Sequence, residues 1–264
     1  MTTEYTLENL QFDPKDPFDL GYHIFDNVSS YLSVDEFENF KYESNKALLE
    51  AILKGEMRSK YQCVAFSELM QDEYMKDFFL KMSKEEAEHG DIFTYIVNKT
   101  YGSADAFNEQ NKQFYEDVSN PVKINLQSTL ASIFTQEIKV VCMFSAFYAD
   151  CKNEEKKRFI GKLIADEVPH TTHVGDVVKN IVSTLPTEGS DQLKNHFFTV
   201  VRGFKYIMLP TLKTYLPEDK VLEVYEGSEW HNRYLNKLHD KLFTLLQAID
   251  STVTMEEFVE NTRY

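Results

Sequence analysis

Two patterns of carboxylate and imidazole residues recur in this 264-residue chain with one spacing. Glu56 is followed 30 residues later by Glu86, with His89 three further on; Glu137 is followed 30 later by Glu167, with His170 three further on. The copies are offset by 81 residues, and their flanks agree, since Ala65-Phe66 aligns with Ala146-Phe147 and Glu85 with Asp166. On a helix, residues three apart lie about 60° from one another in rotation, so each Glu-x-x-His turns both side chains toward one centre. Oxygen-rich ligation with two imidazoles suits two iron ions, or manganese or a mixed Fe/Mn pair, better than zinc or copper. Two ferrous ions would balance the four glutamates and leave a neutral cluster in the interior.

Such a site needs helices to carry it. Ser33 and Glu36 stand at capping-box spacing, and helical periodicity runs from there to about Met70. Further helices are predicted over about Tyr74 to Tyr101, ending at Gly102, then Val122 to Asp150 and Glu155 to Ser183. The midpoints between paired glutamates are 71 and 152, inside the polar breaks Gln71-Asp72 and Lys152-Asn153. In an antiparallel hairpin this places both ligand pairs level, about 22 Å from each turn. The predicted fold is all-α: a four-helix bundle of two helical hairpins over 33–183, extended by C-terminal helices in 184–264. Residues 1–32, interrupted by DPKDP, read as an irregular covering arm of the same single domain. A crossover at 102–121, with a short helix around 106–115, joins the hairpins. Beyond residue 184 amphipathic stretches cover about 191–208 and 228–249, and Thr254 with Glu257 starts a last short helix.

With these residues in place, the chain resembles the ferritin-like di-iron carboxylate superfamily over about residues 45–180. Its bundle takes one Glu from each of two helices and Glu-x-x-His from each of the other two. The resemblance implies that Glu56, Glu86, His89, Glu137, Glu167 and His170 are ligands, with the glutamates terminal or bridging. It also implies that Glu85 and Asp166 orient the ligating imidazoles from behind, and that O2 is the co-substrate. The first hairpin is similar to its counterpart in aldehyde-deformylating oxygenases, at Tyr61 and at Ser67-Glu68-Leu69 before the turn. Arylamine N-oxygenases carry an additional histidine ligand, a role that His173 would fill here. Pro169 removes an amide donor inside the second Glu-x-x-His, so a kink or π-bulge is expected there.

Composition bounds the partners. Twenty-eight Lys and Arg against 43 Asp and Glu leave a net charge of −15, which repels nucleic acid and anionic bilayers. Nine glycines and seven prolines are too few for a turn-rich β architecture. Cys63, Cys142 and Cys151 form no CxxC, which argues against a disulfide scaffold, a zinc knuckle or a rubredoxin-like relay and points to a cytoplasmic setting with an external electron donor. The longest apolar run, 140–149, is half a membrane span. Ile133, Val141, Phe144 and Tyr148 share the Glu137 face and are candidate walls of a pocket for a small or medium organic substrate, while Lys60 lies about 40° from Glu56 and is a candidate substrate contact. The reading is an O2-activating di-iron oxygenase or oxidase (hydroxylation, oxidative cleavage or N-oxidation), a monomer or homodimer. The alternatives are a ferroxidase or iron-sequestering protein and a metal-free helical binding module.

Overall fold

The computed structural model describes residues 7–102, 115, 120, 126–184, 187–205 and 209–262. Among the described residues there are nine α-helices and no strand. The long ones are α1 (Val34–Leu69), α2 (Glu73–Tyr101), α3 (Leu126–Asp150) and α4 (Glu154–Thr184), followed by α5 (Thr187–Lys205), α6 (Leu209–Tyr215), α7 (Glu218–Gly227), α8 (Glu229–Ile249) and α9 (Met255–Asn261). Four of the predicted helices therefore stand within a few residues of their expected limits. The C-terminal region is more broken than the periodicity showed, because α6 and α7 are short and carry too few turns to print a face. Residues 122–125 and, apart from Tyr115, the predicted helix over 106–115 lie outside the described residues.

Local chemistry sets the boundaries. Ser33 and Glu36 close a reciprocal capping box at the start of α1, and Asp72 accepts from the Met75 amide at the start of α2. That helix ends at Gly102, whose φ of 72° is one a side chain rarely adopts, with its N–H on the carbonyls of Val97 and Asn98. Asn153 Oδ1 takes the amides of Glu155 and Lys156 and starts α4. The turns thus occupy residues 70–72 and 151–153, centred where the ligand spacing requires.

α1 packs on α2 and α3, and α2 and α3 both pack on α4, which closes the four-helix bundle; α5 and α8 lie against α3 from outside it. Surrounded by α1, α4, α5 and α8, α3 is buried from Thr129 to Phe144 and reaches solvent only near its end, at Tyr148 and Ala149, and its stretch Thr129–Asp150 is long and apolar enough to cross a membrane while being almost wholly buried in the protein. The sequence presents this helix as apolar all round for that reason. The arm acts as a strap. Phe18 stacks on Phe147 of α3 at 4.3 Å, the Asp19 carbonyl takes the Lys152 amide at 2.9 Å, and the Lys15 and Pro14 carbonyls accept from Asn45 of α1 and Tyr101 of α2. His23 is sealed beneath it: Nδ1 accepts from the Phe25 amide and Nε2 therefore donates to Ser44 Oγ at 2.7 Å, and burial holds its pKa down at about 3.

Pro169 does not break α4, which continues from Glu154 to Thr184 without a π segment. The missing amide leaves the Ala165 carbonyl without its helical donor, and both residues lie on the exposed side, where water can serve it. The strap yields a test: Phe18→Ala removes a fully buried stacked ring, and a loss of about 3–5 kcal/mol is expected in urea unfolding.

Candidate metal centre

The six sequence-predicted ligands meet in the middle of the bundle, each only 1–3% exposed. Glu56 comes from α1, Glu86 and His89 from α2, Glu137 from α3, and Glu167 and His170 from α4. They form two overlapping sets of four in which one side-chain ligand atom from each member lies within 4.8 Å of the others: Glu56, Glu86, His89 and Glu167; and Glu86, Glu137, Glu167 and His170. Glu86 and Glu167 belong to both. The carboxylates of the two Glu-x-x-His motifs are therefore the central pair, and each remaining Glu and His serves one half only.

The donors are turned as the ligands of a pair of cations would be. His89 Nδ1 lies 2.8 Å from Glu167 Oε1, yet neither atom makes a directed hydrogen bond, and Glu56 Oε1 and Glu86 Oε1 are also buried without one. His170 Nδ1 sits 3.1–3.2 Å from Glu86, Glu137 and Glu167 at once. His170 Nδ1 bonds to Glu137 and Glu167, but these other ligand atoms crowd to contact without a directed bond, an arrangement that fits a pair of cations between the six side chains.

Without metal, protons must neutralise the cluster. Burial first, then repulsion from the other carboxylates, raises Glu86 far above the ordinary range and Glu137 to about 8. Burial opposes the charged forms of Glu167 and His89, but the close acid–imidazole contacts outweigh it, lowering Glu167 and raising His89 to about 10.

Behind the imidazoles the support is crossed between hairpins. His170 Nε2 of α4 is 2.9 Å from Glu85 of α2, and His89 Nε2 of α2 is 3.7 Å from Asp166 of α4. Each acidic residue preceding one Glu-x-x-His thus steadies the histidine of the other, and both imidazoles present Nδ1 inward. Gly90, beside His89, lets α1 close on α2 at this level, since a Cβ there would stand 2.9 Å from the Met57 sulfur.

Other candidates lie elsewhere. His173 is exposed on the outer side of α4, where its Nδ1–H donates to the Pro169 carbonyl at 2.8 Å and its ring stacks on Phe78, so it stands outside the cluster of six. Lys60 folds over the ring of Tyr61 at 5.3 Å, where its ammonium stays half-exposed, and does not join the cluster. Ile133, Val141 and Phe144 are buried core, with Phe144 stacked parallel on Phe93, while Tyr148 is exposed beneath Lys157. The expected apolar pocket is filled because α1, α4, α5 and α8 close on α3 from all sides. A cavity of about 270 Å³ instead opens between α2 and α4, with Phe78, Met82, Glu85, Pro169, His170 and His173 in its wall.

Sequence reasoning missed Lys139. It is 4% exposed on α3, donates to Gln136 Oε1 at 2.6 Å, and is pushed by burial down to about 8 against the pull of the Glu56 carboxylate. A lysine directly before the apolar run 140–149 was the available signal.

A bundle with a duplicated Glu and Glu-x-x-His donor set defines the ferritin-like di-iron carboxylate class. Within it, a family model described as rubrerythrin matches residues 41–174, about half of the chain, and the chain belongs to that family. The chain matches no curated protein and no solved structure.

Two outcomes follow from this geometry. Between pH 4.5 and about 8 for Glu137, and between 6.5 and about 10 for His89, the folded metal-free protein holds protons that the unfolded chain has released. Raising the pH through these windows therefore favours unfolding. The thermal midpoint of metal-free protein should fall from pH 5 to pH 8, and metal loading, which displaces those protons, should remove the slope. Glu85→Gln should weaken metal binding about 10- to 100-fold in chelator competition, and Asp166→Asn less, because its contact is longer.

Proposed function

We propose that this chain is an O2-dependent di-iron oxidoreductase. The observation that carries the reading is the pair of buried four-donor sets sharing Glu86 and Glu167. Glu56 and His89 would hold one iron, Glu137 and His170 the other, and the two shared carboxylates would span both. Two irons so held supply paired electrons for the reduction of O2, which is the chemistry of the group itself.

The chain's own residues do the rest. Glu85 and Asp166 fix the inward Nδ1 face of each imidazole. The core formed by Phe93, Phe144 and Ile133 keeps water from the α3 side of the cluster. A small organic substrate would approach through the cavity between α2 and α4, where Phe78 and Met82 supply apolar contact and Glu85 stands beside His170. The three cysteines are buried and unpaired, so reducing equivalents come from a separate donor.

A second reading, oxidation of ferrous iron itself, is favoured by the filled interior at Ile133, Val141 and Phe144, which leaves no room there for a medium-sized molecule.

Anaerobic Fe(II) titration should give two irons per chain. Glu56→Ala should reduce this to one, and Glu86→Ala with Glu167→Ala should abolish binding; unchanged stoichiometry in the double variant would refute the assignment. On adding O2, an absorbance transient whose decay a candidate aldehyde, acid or amine accelerates supports the oxygenase. Oxidation that no organic compound alters, with cage assembly on size exclusion, supports iron oxidation instead.

A further inference from the structure

The 81-residue offset that aligns Glu56 with Glu137 also aligns Arg58 with Lys139, so each helix that supplies a single glutamate carries a base two residues after it. The copies differ one residue before the glutamate, where α1 has Gly55 and α3 has Gln136. The two bases end in different surroundings: Arg58 stays partly exposed, while Lys139 is 4% exposed.

Gly55 accounts for the difference. A Cβ there would stand 2.2 Å from Gln136 Nε2 and 3.4 Å from Gln136 Oε1, so the absence of a side chain is what lets this amide press on α1 beside Glu56. Gln136 Oε1 accepts from Lys139 Nζ at 2.6 Å and so holds the ammonium at the same α1–α3 seam. Glu56, across the seam, pulls on Lys139 more strongly than Glu137 does from two residues away on its own helix. A positive charge therefore stands on the Glu56 side of the cluster, where burial strengthens its repulsion of any cation placed near it.

The crossed supports of the imidazoles lean the same way. Glu85 stands 2.9 Å from His170, whereas Asp166 stands 3.7 Å from His89. A carboxylate closer behind an imidazole makes that imidazole the better donor to a cation. Glu85 also meets Lys81 at 3.5 Å, but that contact lies toward solvent, which screens it.

We infer that the two metal positions are unequal, Glu137 and His170 forming the tight one, which fills first, and Glu56 and His89 the weak one, held back by Lys139. The inference rests on the di-iron reading of the cluster and adds an order of filling to it. Lys139 is a positioning residue here, acting through the field at Glu56. The consequence is a chain that holds one ion when metal is scarce and two when it is abundant.

The metal-free full chain is titrated anaerobically with Fe(II), and separately with Co(II), against a chelator of known affinity. Two steps should appear, with dissociation constants at least about tenfold apart. Glu56→Ala should remove the weaker step and keep the tighter one, while Glu137→Ala should remove the tighter one. Lys139→Met removes the charge, and Gln136→Glu sets a carboxylate against it in the same shape. Each should tighten the second step by about tenfold and leave the first nearly unchanged. The two variants differ in packing and agree only in charge, so a merely structural role for Lys139 would not move the ratio of the steps the same way in both. Gln136→Glu suffices alone should Lys139→Met fail to fold. Equal steps in the unmodified chain, loss of the tighter step in Glu56→Ala, or an unchanged ratio in the charge variants would overturn the inference and leave the di-iron reading in place. Absence of any metal step would overturn both.

Discussion

Four carboxylates within a helical interior are the constraint on which this protein is built. Left charged and unpaired, they would cost several kcal/mol each, together more than the net stability of a typical domain, so the fold is viable only with protons or cations among them. The protonation pattern is one solution, with Glu86 and Glu137 holding protons and the imidazoles charged against Glu167. Two divalent ions are the other, and they use every donor that hydrogen bonding leaves idle. The interior is thus poised between two charge-balanced states, and the pH dependence of the metal-free protein and its affinity for metal are aspects of one balance.

That balance explains why so much helix surrounds so small a centre. α3 is enclosed over most of its length, and the arm ties α3 and the Cys151–Asn153 turn to α1 and α2 through Phe18, Asp19, Lys15 and Pro14. Such packing keeps the donors crowded in spite of their repulsion. The crossed contacts His170–Glu85 and His89–Asp166 act to the same end, because each hairpin orients an imidazole of the other and neither can reach its geometry alone.

The cavities follow from how the helices are covered. On the α3 side the added C-terminal helices fill the space beside the cluster, so access lies between α2 and α4, which those helices leave uncovered.

Periodicity, caps and a repeated spacing are properties of the chain, and they were enough to predict the two hairpins, with turns about Gln71-Asp72 and Lys152-Asn153, and which six side chains come together. A helix fixes rotation and rise per residue, so equal spacing about a turn already implies equal depth. What spacing could not decide was the division of labour among glutamates: that Glu86 and Glu167 are shared depends on how two hairpins dock. It also could not tell an apolar wall from an apolar filling, and Ile133, Val141 and Phe144 became core because helices from beyond residue 184 pack over α3. His173 and Lys60 stood near the ligand face by rotation, yet a local contact claimed each, the Pro169 carbonyl for one and the Tyr61 ring for the other. Lys139 went unnoticed in the sequence because burial of a charge is set by neighbours that lie far away along the chain.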